Sequence, residues 1–126
     1  KSKYAGYALY LKANFLYEKG DFQQAKEVCL NFLNFKKPKT FILPMMYILA
    51  QCFLNLNNFD EAIKIYNEII QKYPEHYLIA RIYESLAICY ELKGDIQSSK
   101  QIYERMNILY PGSYWAEIAQ QKLKGM

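Results

Sequence analysis

The sequence is poor in the residues that carry most chemistry. It has one histidine and three cysteines, with no CxxC and no Cys/His pair at metal-ligand spacing. That excludes a zinc site and leaves a Ser/His/Asp arrangement without support. Five glycines are scattered, so no glycine-rich loop can cradle a phosphate. No stretch alternates with period two for long enough to be a strand. The expectation is a protein with no catalytic residues, no metal and no cofactor, and not an enzyme. The lone His76, close to Pro74, is expected to cap or decorate a helix start. Cysteines spread along helical patterns read as small buried apolar residues.

Long apolar runs are also missing. The most apolar one, FILPMMYILAQCFLNL (Phe41–Leu56), is interrupted by Pro44, Gln51 and Asn55. A membrane span needs about 20 apolar residues. The run reads instead as a helix flanked on both sides, with Pro44 in its first turn. Acidic excess is absent too. The net charge is +4, unevenly placed: residues 1–39 carry eight lysines against Glu18, Asp21 and Glu27, a net +5. Lys36, Lys37 and Lys39 form the one tight basic cluster, and Pro38 inside it reads as a joint between helices. A nucleic-acid footprint would gather basic residues and stacking aromatics on one face. Such a partner is not expected, although nucleic acid or anionic lipid on this cluster is the alternative reading. The chain starts at Lys1 without an initiator Met and is read as a piece of a longer protein.

Tyrosine is abundant, and its placement is informative. YPEHY (Tyr73–Tyr77) recurs as YPGSY (Tyr110–Tyr114), 37 residues later. In that frame Ala50 pairs with Ala87, Cys52 with Cys89, Phe59 with Ile96, Ala62 with Ser99 and Tyr66 with Tyr103. One period earlier stand Ala13, Leu16, Phe22 and Ala25. A fixed period of this size marks a helical repeat. Each unit reads as two amphipathic helices around a break at Gly20-Asp21, Asn57-Asn58 or Gly94-Asp95. Gly or Asn closes one helix there, and Asp or Asn caps the next. Asp21-x-x-Gln24 and Asn58-x-x-Glu61 have capping-box spacing. Second helices are expected at 22–35, 59–72 and 96–109. Ser113 is expected to cap a final helix, 113–124, whose inner stripe is Trp115, Ile118, Ala119 and Leu123. Ala50 and Ala87 are expected at close helix contacts.

These residues resemble the tetratricopeptide repeat. Unit three carries the pattern as Tyr83, Leu86, Ala87, Tyr90, Gly94, Asp95, Tyr103 and Pro111. Unit two carries it as Met46, Leu49, Ala50, Phe53, Phe59, Ala62, Tyr66 and Pro74. Unit one departs from it with Lys12 where Leu is usual and Cys29 where Tyr is usual. The resemblance implies an all-α, right-handed α-solenoid: one domain over 1–126, units at about 4–37, 41–74 and 78–111, and a capping helix. The lengthened period and Tyr-Pro joints are similar to bacterial cell-envelope repeats, those of the Tol–Pal coordinator and outer-membrane assembly lipoproteins. That likeness implies a bacterial envelope or periplasmic setting, with a cytoplasmic one as the alternative.

The family also implies a function, a scaffold that binds a segment of another protein in the groove lined by first helices. Its groove positions fall here on Tyr7, Tyr10, Asn14, Tyr17, Tyr47, Gln51, Arg81 and Glu84. The chaperone-binding members' Lys/Asn/Asn/Lys/Arg carboxylate clamp meets Tyr10, Asn14, Ile48, Arg81 and Ser85, so that clamp is not expected. A structural spacer or self-association domain is the alternative from a different class. The sequence does not set the oligomeric state.

Overall fold

A computed structural model describes residues 3–126. Among these residues there are helices and no strands: α1 (Lys3–Lys19), α2 (Phe22–Phe35), a 3-10 turn (Lys39–Phe41), α3 (Ile42–Asn55), α4 (Phe59–Lys72), α5 (Ile79–Lys93), α6 (Ile96–Leu109) and α7 (Tyr114–Lys124). The second helices begin and end where the repeat places them. The chain divides into two compact units, Lys1–Ile65 and Tyr66–Met126, and α4 crosses the division.

The helices turn at three corners of the same construction. Gly20, Asn57 and Gly94 all have left-handed backbone, with φ of 89°, 63° and 94°. Just beyond each, a backbone N–H reaches back five residues: Asp21 to Leu16 at 2.9 Å, Asn58 to Phe53 at 2.8 Å, and Asp95 to Tyr90 at 2.8 Å. These bonds satisfy carbonyls that the ending helix leaves without a partner. The Asp21 carboxylate then accepts from Gln24 N at 3.2 Å, and the Asp95 carboxylate from Ser98 N at 3.1 Å.

The capping box at Asp21 is only half formed, which corrects the sequence expectation. The reciprocal bond would use the Asp21 N–H, but that N–H is already held by Leu16. The Gln24 amide instead donates to the second oxygen of the Asp21 carboxylate at 2.6 Å.

In the first unit, α2 packs against both α1 and α3. Between them lie Ala13, Leu16, Ala25, Val28, Cys29, Phe32, Met45, Ile48, Leu49 and Cys52. The alanines let the backbones approach, and Phe32 and Met45 fill the space that remains. At 14 residues α3 is too short to cross a bilayer. Among the described residues no helix is long and apolar enough to do so. In the second unit α6 packs against α5 and α7, and α7 also touches α5. Ser113 caps α7 by accepting from Ala116 N at 3.2 Å. Ala50 and Ala87 are fully buried, as expected of close-contact positions.

All three cysteines are free and buried. Burial pushes the Cys29 and Cys89 thiols up to about 12 and the Cys52 thiol to about 11. Because the thiolate is the reactive form, Ellman's reagent at pH 8 should label the native protein about a hundredfold more slowly than the denatured chain. Equal rates would show that these positions are open to solvent.

Candidate partner-binding face

The helical pitch brings Tyr10, Asn14 and Tyr17 onto one stripe of α1, and Tyr47, Gln51 and Asn55 onto one stripe of α3. Since α1 touches α3, the two stripes share a face of the first unit. At one end the chain enters α3 through the 3-10 turn, which carries Phe41. The Tyr10 ring stacks on Phe41 with centroids 4.6 Å apart and planes 9° apart, and Tyr7 stacks on it at 5.7 Å. A recess of about 320 Å³ opens beside this stack, lined by Tyr4, Tyr7, Pro38, Thr40 and Phe41.

The other end is polar. The Tyr17 hydroxyl accepts from the Gln51 side-chain amide at 3.2 Å and from that of Asn55 at 3.5 Å. Asn55 also donates to the Gln51 backbone carbonyl at 2.8 Å. The Tyr17 ring lies edge-on to Phe22 at 5.4 Å, so both ends of the side chain are held. A phenol oxygen that accepts from amides keeps its own O–H to donate. Tyr7 is exposed, while Tyr10, Asn14, Tyr17, Tyr47 and Gln51 are half-buried. One face therefore offers an aromatic anchor and hydrogen-bonding groups.

Arg81 and Glu84 belong to the second unit. Arg81 is exposed, with its guanidinium 5.6 Å from the Trp115 ring centroid; Glu84 is half-buried. Trp115 is itself half-buried, edge-on to Tyr114 at 5.2 Å. It supports the one arginine among the positions read as groove residues. Ile48 and Ser85, which stand at clamp positions, are buried and unavailable to a carboxylate. His76 decorates the start of α5, accepting from Leu78 N at 3.1 Å.

Two features escape the sequence reading above. Phe41 reads there as the first residue of an apolar run, and only the 3-10 turn swings it under Tyr7 and Tyr10. Its place one period after Tyr4, at a joint, is the signal that could have found it. In the second unit the fully buried Tyr103 donates to the Glu91 carboxylate, and Lys122 lies 3.8 Å from the same oxygen. Burial, and then Glu91, raise the Tyr103 phenol and keep it neutral. No three His, Cys, Asp or Glu side chains among the described residues gather as a metal site would require.

Paired helices with a corner repeated every 37 residues define a helical-repeat protein. The tetratricopeptide repeat model matches residues 41–106, just over half of the chain. A second model, described as anaphase-promoting complex, cyclosome, subunit 3, matches residues 2–69. The chain belongs to the tetratricopeptide repeat family.

No curated protein matches the chain. Among solved structures it is similar to SycD, the type III secretion translocator chaperone of Yersinia enterocolitica. The TM-score is 0.80 at 16% identity, covering 99% of this chain and 92% of that one. PcrH, solved with the chaperone binding region of PopD, gives 0.79 at 16% identity with the same coverage. The first TPR of Spaghetti (RPAP3), solved with the HSP90 peptide SRMEEVD, gives 0.75 at 15% identity, covering 98% and 91%. At these identities the likeness shows the fold, that of all-α tetratricopeptide solenoids.

Proposed function

We propose that the chain is a protein-interaction scaffold that takes a segment of a partner protein across the face of α1 and α3. The observation that carries this reading is the pairing on that face of the Tyr7–Tyr10–Phe41 stack with the Tyr17–Gln51–Asn55 amide cluster. Apolar side chains of a partner would lie on the aromatics, which present large contact area at low entropic cost. Asn14, Tyr17, Gln51 and Tyr47 would fix its direction by hydrogen bonds. Support comes from structures of the same fold, PcrH and Spaghetti, which were solved with peptides bound. The buried Ile48 and Ser85 argue for a partner read through aromatic and amide contacts rather than through a terminal carboxylate. A bacterial envelope setting rests on the lengthened period and the Tyr-Pro joints; neighbours of similar likeness come from Yersinia and from human proteins.

The test is a peptide of about a dozen residues selected against the chain by phage display and titrated by calorimetry. The double variant Tyr7→Ala with Asn14→Ala changes side chains at or near the surface and should fold normally. It should lose about 2 kcal/mol of binding, or roughly 30-fold in affinity. Unchanged affinity in the folded double variant would remove this face as the site. An affinity that instead falls steeply with salt would favour the Lys36, Lys37 and Lys39 joint.

A further inference from the structure

A recess of about 350 Å³ opens in the second unit, where the start of α5 meets the end of α6. Ile79 and Tyr83 form its floor, 2% and 6% exposed, and Leu109 and Tyr110 stand beside them. The Tyr83 ring lies edge-on to Tyr110, with centroids 6.4 Å apart. Its hydroxyl has no hydrogen-bond partner among the described residues. Nor is that hydroxyl sealed in, since the buried unpaired side-chain atoms are Ser99 Oγ and Asn107 Oδ1. It therefore opens into the recess, where a ligand can meet it. The repeat does not call for this group. One period earlier Met46 fills the same position and is just as buried.

Charge says what kind of ligand would fit. Glu75, on the joint before α5, and Arg105, on α6, line the same recess and are exposed. Neither makes an ion pair with another described residue. One period earlier they are Pro38 and Glu68, so neither charge belongs to the repeat. Burial, and then Tyr83 and Glu75, raise the Tyr110 phenol, which keeps its proton and can donate. A ligand with one charge would satisfy either Glu75 or Arg105 and be repelled by the other. A ligand with both charges and an apolar body satisfies the pair and the floor together. The volume suits one small molecule of this kind.

We propose that this recess binds a free α-amino acid with an aliphatic side chain. Its carboxylate meets the Arg105 guanidinium, which can hold both oxygens, and accepts from the Tyr83 hydroxyl. Its ammonium meets the Glu75 carboxylate, and its side chain lies on Ile79 and Leu109. An internal segment of a partner protein carries neither terminal charge. All of these residues belong to the second unit, so the site does not rest on the α1–α3 face.

The probe is leucine, titrated into the whole chain at neutral pH and followed by the tyrosine ring signals in NMR. Saturable binding is expected, with the Tyr83 and Tyr110 signals shifting together. Leucine amide lacks the carboxylate and N-acetyl-leucine lacks the ammonium; each should bind about tenfold more weakly. Arg105→Gln should remove the preference over leucine amide and keep that over N-acetyl-leucine, and Glu75→Gln should do the reverse. Tyr83→Phe should weaken leucine about fivefold. Gln replaces exposed side chains and Phe keeps the ring, so all three variants should retain wild-type circular dichroism. No saturable binding up to about 10 mM leucine would overturn the proposal. So would an analogue that binds as tightly as leucine, or preferences that neither Gln variant changes. Equal binding of N-acetyl-leucine amide would overturn it too, assigning the recess to an internal protein segment.

Discussion

Gly6→Ala should destabilise the first unit by about 3 kcal/mol, although the same change inside an ordinary helix is stabilising by roughly 1 kcal/mol. Gly6 is the fourth residue of α1, at the end of its first turn, where alanine is the better helix former. It is also where the joint after α2 crosses α1. A methyl group at this position would overlap the Lys37 carbonyl oxygen and come within 2.6 Å of Pro38 Cδ and 2.9 Å of the Lys37 carbonyl carbon. Two of those atoms are backbone, so no side-chain rotation relieves the clash; α1 and the joint must separate. The same joint leads to Phe41, so the Tyr7 and Tyr10 stacks should loosen with it. Thermal denaturation should show a midpoint lower by on the order of 10 °C, with weaker near-ultraviolet aromatic dichroism. A raised midpoint would mean that helix propensity outweighs the contact and that the joint does not cross α1 at Gly6.

Phe32→Ala should cost about 3–5 kcal/mol, the range for deleting a buried aromatic and leaving a cavity. Phe32 is fully buried, tilted against Phe35 at 5.6 Å, and belongs to the cluster shared by α1, α2 and α3. The repeat explains why this side chain matters so much. Second helices in the later units bury Tyr66 and Tyr103 where the first unit has only Cys29. With a thiol in place of a phenol ring, more of the volume between α2 and its neighbours falls to Phe32. Chemical denaturation followed by far-ultraviolet dichroism gives the measurement. A loss below about 1 kcal/mol would place the ring in a cavity able to collapse without cost.

The two positions differ in how well the sequence announces them. Phe32 lies in a helical apolar pattern with Ala25, Val28 and Cys29, so its burial follows from spacing. Gly6 sits in an unremarkable stretch of α1, and nothing near it in sequence points to Lys37. The tyrosines divide in the same way. Tyr10, Asn14 and Tyr17 share a stripe because of their spacing, but the partner of the Tyr17 hydroxyl, Gln51, is supplied by α3. Arg81 can be placed on a groove position from the repeat, whereas its seat on Trp115 depends on how α7 returns to α5.

What the sequence determined by itself is the helices, the corners and the register. These rest on bonds and contacts between residues three to five apart, so composition and spacing suffice: Gly20, Asn57 and Gly94 turn the chain left-handed because their local conformation permits it. The reading of Cys52 and Cys89 as small buried residues came from the same periodicity. Only the tertiary structure decided which groups meet across helices. It placed Phe41 beneath two tyrosines and Glu91 beside a buried phenol, and it brought the Lys37–Pro38 backbone onto Gly6. It also took the Asp21 N–H for Leu16 and left the capping box half made. Such contacts depend on approach distances between segments far apart in the chain, which a shift of about an ångström makes or breaks, and no local pattern carries that information.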